Sequence, residues 1–330
     1  MSDKEALPVD QAVGNDDPPA GPASHRRRRV AIQALVLLAV FVIGGGSGYI
    51  LGDRLRHGAA NPGSTSSEDE DMALMHQVNP PDGYMIPVAY GDAGPQLVAS
   101  GTIDMIKFSS LYQQQNMPLS DEQMTILTQG TQEKVNINPG NAYFLLNFFW
   151  ALGLANQNPI LTEGAMVLRG ADKVGGFAST GGWTLGKKQA TDLYAKRKIL
   201  VLTDEQQAML EEVAGLVYRP CCNNPTDFPD CNHGMAMLGL LELMALQNAT
   251  ADQMYEAAKY VTAFWYPQQM LEVATAIKAI RNLDFVKADA REVVSNQYSS
   301  GSGFQAVHQW LSSNGLLKQA PSSGGSCGVK

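Results

Sequence analysis

Val30 to Gly52 reads VAIQALVLLAVFVIGGGSGYILG, 23 residues with one amide, Gln33, and no charge. A helix needs about 20 apolar residues to cross the hydrocarbon core of a bilayer. The segment therefore predicts a single transmembrane helix, and everything else must fold to one side of it. Arg26, Arg27, Arg28 and Arg29 stand directly before it, Asp53 directly after, and the acidic run Glu68 to Asp71 a little further on. Positive charge is retained on the cytoplasmic side, so the N-terminus is expected inside and residues 53–330 outside. A cleaved signal peptide has a shorter apolar region, about 7–15 residues, with a small-residue cleavage site. This run is longer and lies behind a polar tail, which favours a retained anchor in a bacterial cytoplasmic membrane. Gly44, Gly48 and Gly52 fall four apart on one helix face. Small residues at that spacing let two membrane helices approach closely and mark a candidate homodimer contact.

The rest of the chain divides by composition. Residues 1–29 read as a disordered cytoplasmic tail, 53–80 as a flexible linker and 312–330 as a Ser/Gly-rich flexible tail, because they hold few large apolar residues. Residues 81–311 remain to bury a core. The net charge of the whole chain is −8. The first 52 residues hold five basic and five acidic side chains, so the exported part carries that acidity alone. Phosphate affinity comes from clustered Lys and Arg, so no nucleic-acid partner is expected.

Periodicity between 81 and 311 is helical, and the expected class is mainly α: a membrane helix followed by an irregular all-α bundle with long Gly/Pro-rich loops. Ser120, Thr203 and Thr250 each precede a helical run, the last two with glutamine at capping-box spacing, Gln206 and Gln253. The helices from Thr203, Cys231 and Thr250 are expected to run to about Tyr218, Gln247 and Tyr266, with Pro267 interrupting before helix resumes to about Asn282. Asn141 to Ala155 is apolar on nearly every face yet too short to span, so it predicts a buried core helix. Shorter helices are expected near Ala288–Gln297 and Gly303–Leu311. Gly164 to Gly186, with seven glycines, reads as a loop. Its GGFASTGGW centre lacks the GxxxxGK[ST] pattern of a phosphate cradle. Strand character is confined to Tyr84–Tyr90. Tyr84, Tyr90, Trp183, Phe264, Trp265 and Tyr266 could line a ligand groove, but aromatic residues at such spacing are usually core; His76 and His308 read as surface or packing residues.

Chemical specificity is concentrated in Tyr218 to Met237, YRPCCNNPTDFPDCNHGMAM, which holds Cys221, Cys222 and Cys231 with His233, Met235 and Met237 close behind. The fourth cysteine, Cys327, lies in the C-terminal tail. Asp230 reads as the N-cap of the next helix, with Cys231 its first residue and His233 its third. Free N–H groups and the positive helix end favour a thiolate there. Three readings compete. One is a structural disulfide from Cys231 to Cys221 or Cys222, worth ~2–3 kcal/mol, with Cys327 available to the thiol left over. Another is a metal site, in which Cys221, Cys222, Cys231 and His233 offer three thiolates and an imidazole to Zn²⁺, with Met235 and Met237 as thioethers that would favour Cu(I). The last is thiol–disulfide exchange, Cys231 or Cys222 attacking and a neighbour resolving. A Cys–His nucleophilic pair is disfavoured, because residues two apart on a helix point about 200° apart.

The segment 202–267, in the pieces LTDEQQAMLEEVAGLVYRPCCNN, DCNHGMAMLGLLELMALQ and NATADQMYEAAKYVTAFWYP, resembles the CcmH-type thiol-reductase domain of bacterial cytochrome c maturation. That resemblance implies a three-helix bundle with a redox dithiol facing the exported side. The departure is the adjacent Cys221–Cys222 pair where the family has CxxC, together with the added Cys231 and His233. The RPCC…DCxHG run is also similar to Cys-rich exported proteins. The expected function is a membrane-anchored metal-binding (Zn or Cu) or thiol-redox accessory protein with an envelope protein partner. The alternative is a non-catalytic envelope scaffold whose cysteines staple a loop.

Overall fold

The computed structural model describes residues 67–168 and 170–317. The expected anchor with Gly44, Gly48 and Gly52, and the tail with Cys327, lie outside them. Helix α1 spans Ser67–Val78, followed by strand β1 (Tyr84–Gly91) and helices α2 (Ala93–Ala99), α3 (Met105–Gln114) and α4 (Asp121–Thr128). Strand β2 (Thr131–Ile137) and α5 (Ala142–Ala155) come next, then a run of short turns. The C-terminal half holds α6 (Asp204–Ala214), α7 (Asn232–Leu246), α8 (Ala251–Trp265), α9 (Pro267–Arg281) and α10 (Gly301–Ser313). The molecule is mainly helical, as expected. Among the described residues no helix is long and apolar enough to cross a membrane.

The centre of the fold is the crossing of α5 and α7, each buried along nearly its whole length. Glycine decides how close they come. A Cβ on Gly153 would collide with the Met235 carbonyl, and one on Gly239 with the Phe149 carbonyl and, at 2.6 Å, the Gly153 nitrogen. The two backbones meet where neither helix has a side chain. Around this pair one apolar core gathers Phe148, Phe149, Leu240, Leu241, Met254 and Trp265. A second core joins α9, α1 and α10 through Leu74, Val78, Met270, Phe285 and Leu311.

Local capping fixes most helix starts. Ser120, Thr203 and Thr250 each close a capping box with the glutamine three residues on. Pro267 sits in the first turn of α9, where its missing N–H costs nothing.

Four expectations need correction. The reading of 53–80 as linker fails over Ser67–Val78, where Leu74 and Val78, four apart, bury one helical face. The all-α reading omits β2, which pairs antiparallel with β1, Tyr84 opposite Ile137 and Gly91 opposite Thr131, with irregular register between. Only Val135 and Ile137 of TQEKVNI are buried, too few to write an alternation. Gly164–Gly186 is not an open loop but successive turns, Ala165–Leu168, Ala171–Gly176 and Ala178–Gly181. Two indoles secure the end of that run, Trp150 donating to the Ser179 carbonyl at 2.6 Å and Trp183 to the Thr102 carbonyl at 3.0 Å. Finally, α6 ends at Ala214 rather than near Tyr218, because the chain must turn at Gly215 to bring the cysteine loop back against it.

Candidate thiolate site

The loop between α6 and α7 is tied to the fold by its own backbone. Thr226 N–H donates to the Val217 carbonyl at 2.9 Å and Asp227 N–H to that of Ala214 at 3.1 Å. The start of α10 also holds it: Gly301 N–H donates to the Cys222 carbonyl and Ser302 N–H to Asn223 Oδ1, both at 2.7 Å. The Gly-rich segment packs against its other end, where Ser179 N–H reaches the Asp230 carbonyl at 3.1 Å and the Phe177 and Phe228 rings meet edge to face. A loop rich in Pro, Asn and Asp is thereby held in one shape.

That shape brings the three sulfurs together. Cys221, Cys222 and Cys231 place their Sγ atoms within 4.8 Å of one another, with Cys221 and Cys231 3.4 Å apart. Cys221 is exposed and the other two are half-buried. All three are free thiols.

Arg219 organises the cluster from beneath. It is 2% exposed, and its guanidinium is used on every side. Nε donates to Cys231 Sγ at 3.0 Å, Nη1 to the Asn224 carbonyl at 2.9 Å, and Nη2 to the Phe228 carbonyl at 3.3 Å and to Asp230 at 2.7 Å. Asp230 takes a further bond from the Asn224 amide at 2.7 Å. The expected assignment at the start of α7 therefore shifts by one residue. Cys231, not Asp230, is the N-cap, its sulfur accepting from Gly234 N–H at 3.3 Å. Asp230 is drawn away by Arg219, a stronger charge-assisted partner than a backbone amide. Gly234 is required beside it, since a Cβ there would run into the guanidinium.

The electrostatics sort the three thiols. Hydrogen bonds from Cys221 and Cys222, then the Arg219 charge, hold Cys231 well below the ordinary thiol range against the opposing effect of burial. Cys221 is pushed up by its hydrogen bonds to Cys222 and Cys231, then by burial. For Cys222 the bond with Cys221 lowers its pKa, but the bond to Cys231 and burial outweigh it, giving about 11. The surroundings thus favour ionisation at Cys231, whose sulfur is flanked by the Cys221 and Cys222 thiols, a guanidinium and an amide.

His233 lies in the first turn of α7 against the rings of Trp265 and Tyr266, at 5.8 and 4.6 Å. Burial lowers its pKa to about 4, so the imidazole is neutral. Nδ1 pairs with Asn232 Oδ1 at 3.0 Å, and Nε2 is enclosed without a partner. The Tyr266 hydroxyl is also enclosed, and burial and then the Cys221 charge raise its pKa. Met235 and Met237 lie in the large apolar core.

Arg219 and Gly234 were not candidates on sequence. One signal was present: Arg219 is the single Lys or Arg between Lys198 and Lys259, and a lone arginine beside a cysteine pair invites the question of its partner. Compared with known proteins, the chain matches no family model, no curated protein and no solved structure.

Proposed function

We propose that this protein is a thiolate-based metal-binding accessory protein of the bacterial envelope, anchored by residues 30–52, with Cys221, Cys222 and Cys231 as ligands. The observation that carries the reading is the convergence of three sulfurs within 4.8 Å on a fixed guanidinium, which favours the thiolate form of the sulfur it touches. Metal ligation requires thiolates, and the guanidinium held against Cys231 favours that form. Cys231 bridges loop and helix and is fixed by two donors, so it serves as the anchoring ligand. His233 stands behind it, with Nε2 free to accept a proton or an ion. The segment Val30–Gly52 and its four preceding arginines support the envelope location.

A second reading is favoured by the Cys221–Cys231 separation of 3.4 Å, from which a small movement would form a disulfide of the scaffold or redox kind. Non-reducing mass spectrometry of the purified chain with metal analysis separates the two. About one bound ion per chain on free thiols supports the metal centre. A complete Cys221–Cys231 bridge without metal supports the disulfide and ends the metal reading.

A further inference from the structure

We infer that the three-sulfur site takes copper(I) in trigonal coordination and exchanges it through Cys221. This rests on the metal-centre reading and names its cargo. The donor set is the first ground. Among the described residues, the group of mutually close donor atoms consists of the three sulfurs. Closed zinc sites take four donors, whereas three thiolates complete a trigonal shell for a soft monovalent ion, and soft sulfur ligands select Cu(I).

The neighbouring nitrogen and oxygen donors stand apart from the three sulfurs. His233 Nδ1 is bonded to Asn232 at 3.0 Å, and Nε2, though without a partner, is not among the donor atoms that lie within 4.8 Å of one another. Asp230 reaches Cys222 Sγ at 3.8 Å, but one of its oxygens takes Arg219 and the other takes Asn224, both at 2.7 Å. Cys231 Sγ accepts from Arg219 Nε and Gly234 N–H while facing Cys221, so its direction is set before any ion arrives.

Exposure is the second ground. A site that only staples a fold hides its sulfurs, but here Cys221 is exposed while Cys222 and Cys231 are half-buried. The outer ligand is the one an incoming thiolate or thioether of a partner can replace, and the inner two hold the ion until it does. Binding forms three Cu–S bonds, releases to solvent the protons that the three sulfurs carry and leaves copper at +1. No oxidant or reductant is consumed.

The test uses the full-length chain in detergent, reduced and kept anaerobic. It is titrated with Cu(I) supplied from its bicinchoninate complex, with Zn²⁺ alone, and with Zn²⁺ against Cu(I). The ion's shell is read by X-ray absorption. The expected result is one Cu(I) per chain with three sulfur neighbours, and complete loss of bound Zn²⁺ when one equivalent of Cu(I) is added. Cys221→Ser, at an exposed position, is expected to keep its circular dichroism and bind Cu(I) more weakly through two sulfurs. Zn²⁺ retained against equimolar Cu(I), or a four-donor copper shell, overturns the inference and leaves the metal-centre reading standing. A reduced chain that binds neither ion overturns both.

Discussion

Arg219 and Cys231 are 12 residues apart in sequence, yet Nε of the arginine donates to the sulfur at 3.0 Å, and the same guanidinium holds Asp230 at 2.7 Å. One buried cation thus serves a cysteine sulfur, a carboxylate and two loop carbonyls. Removing it strands the Asp230 carboxylate and takes the charged donor from Cys231. Arg219→Met is expected to lower the unfolding free energy by about 3–5 kcal/mol, the usual cost of breaking a buried pair from one side. Arg219→Lys should recover only a minor part, because an ammonium lacks the planar fork that reaches four acceptors. Urea denaturation at pH 7 checks both. A Met variant within about 1 kcal/mol of wild type would show that the guanidinium does not hold the loop.

Gly234 tests the same site from the helix side. Alanine in a helix gains about 1 kcal/mol over glycine in propensity. Here the added methyl would occupy the space of the Arg219 Cζ and Nη2 atoms, which four hydrogen bonds keep from moving aside. Overpacking of this kind costs about 1–3 kcal/mol, so Gly234→Ala is expected to destabilise despite the propensity gain. Thermal unfolding reads the sign, and an increase in Tm would refute the packing argument.

His233 should titrate near pH 4 in the folded chain, because its burial disfavours the charged ring. Its folded pKa is depressed below the unfolded value of about 6.5. The stability it contributes is therefore present above about pH 6.5 and is lost as the pH falls toward 4, by roughly 3 kcal/mol in all. NMR of the imidazole carbons measures the titration directly, and a midpoint at or above 6 would contradict the burial. His233→Phe, which keeps an aromatic ring against Trp265 and Tyr266, is expected to flatten the corresponding part of the stability profile.

Glu242, in the middle of α7, is fully buried, and neither carboxylate oxygen has a hydrogen-bond partner of good geometry. Burial raises its pKa well above the usual value, against smaller lowering effects from Asn156 and Asn158. A raised folded pKa contributes stability that is full below the unfolded pKa of about 4.3 and is lost as the pH rises through the folded one. Glu242→Gln, near in shape and uncharged, should match wild type near pH 4 and exceed it increasingly as the pH is raised. Paired denaturation curves at pH 4, 6 and 8 measure the gap, and a gap that stays constant would remove Glu242 as its source.

The sequence by itself determined the features whose partners lie within one helical turn or along one face. The boxes of Thr203 with Gln206 and Thr250 with Gln253, the cap at Ser120, the restart at Pro267 and the buried α5 were all legible, because the hydrogen bond or apolar stripe that makes each one is written in consecutive residues. The three cysteines stand close in the sequence for the same reason, whereas His233, equally close in sequence, lies against Trp265 and Tyr266 and outside the group of mutually close donor atoms. The tertiary structure alone decided what those residues face. It paired polar β2 with β1, turned the Gly-rich run into a buttress for the cysteine loop, and brought Arg219 under Cys231 so that Cys231, not Asp230, caps α7. Each of these depends on contacts made across the fold. A local pattern shows which donor a residue carries, but only the folded chain shows which acceptor reaches it, and at what depth from water.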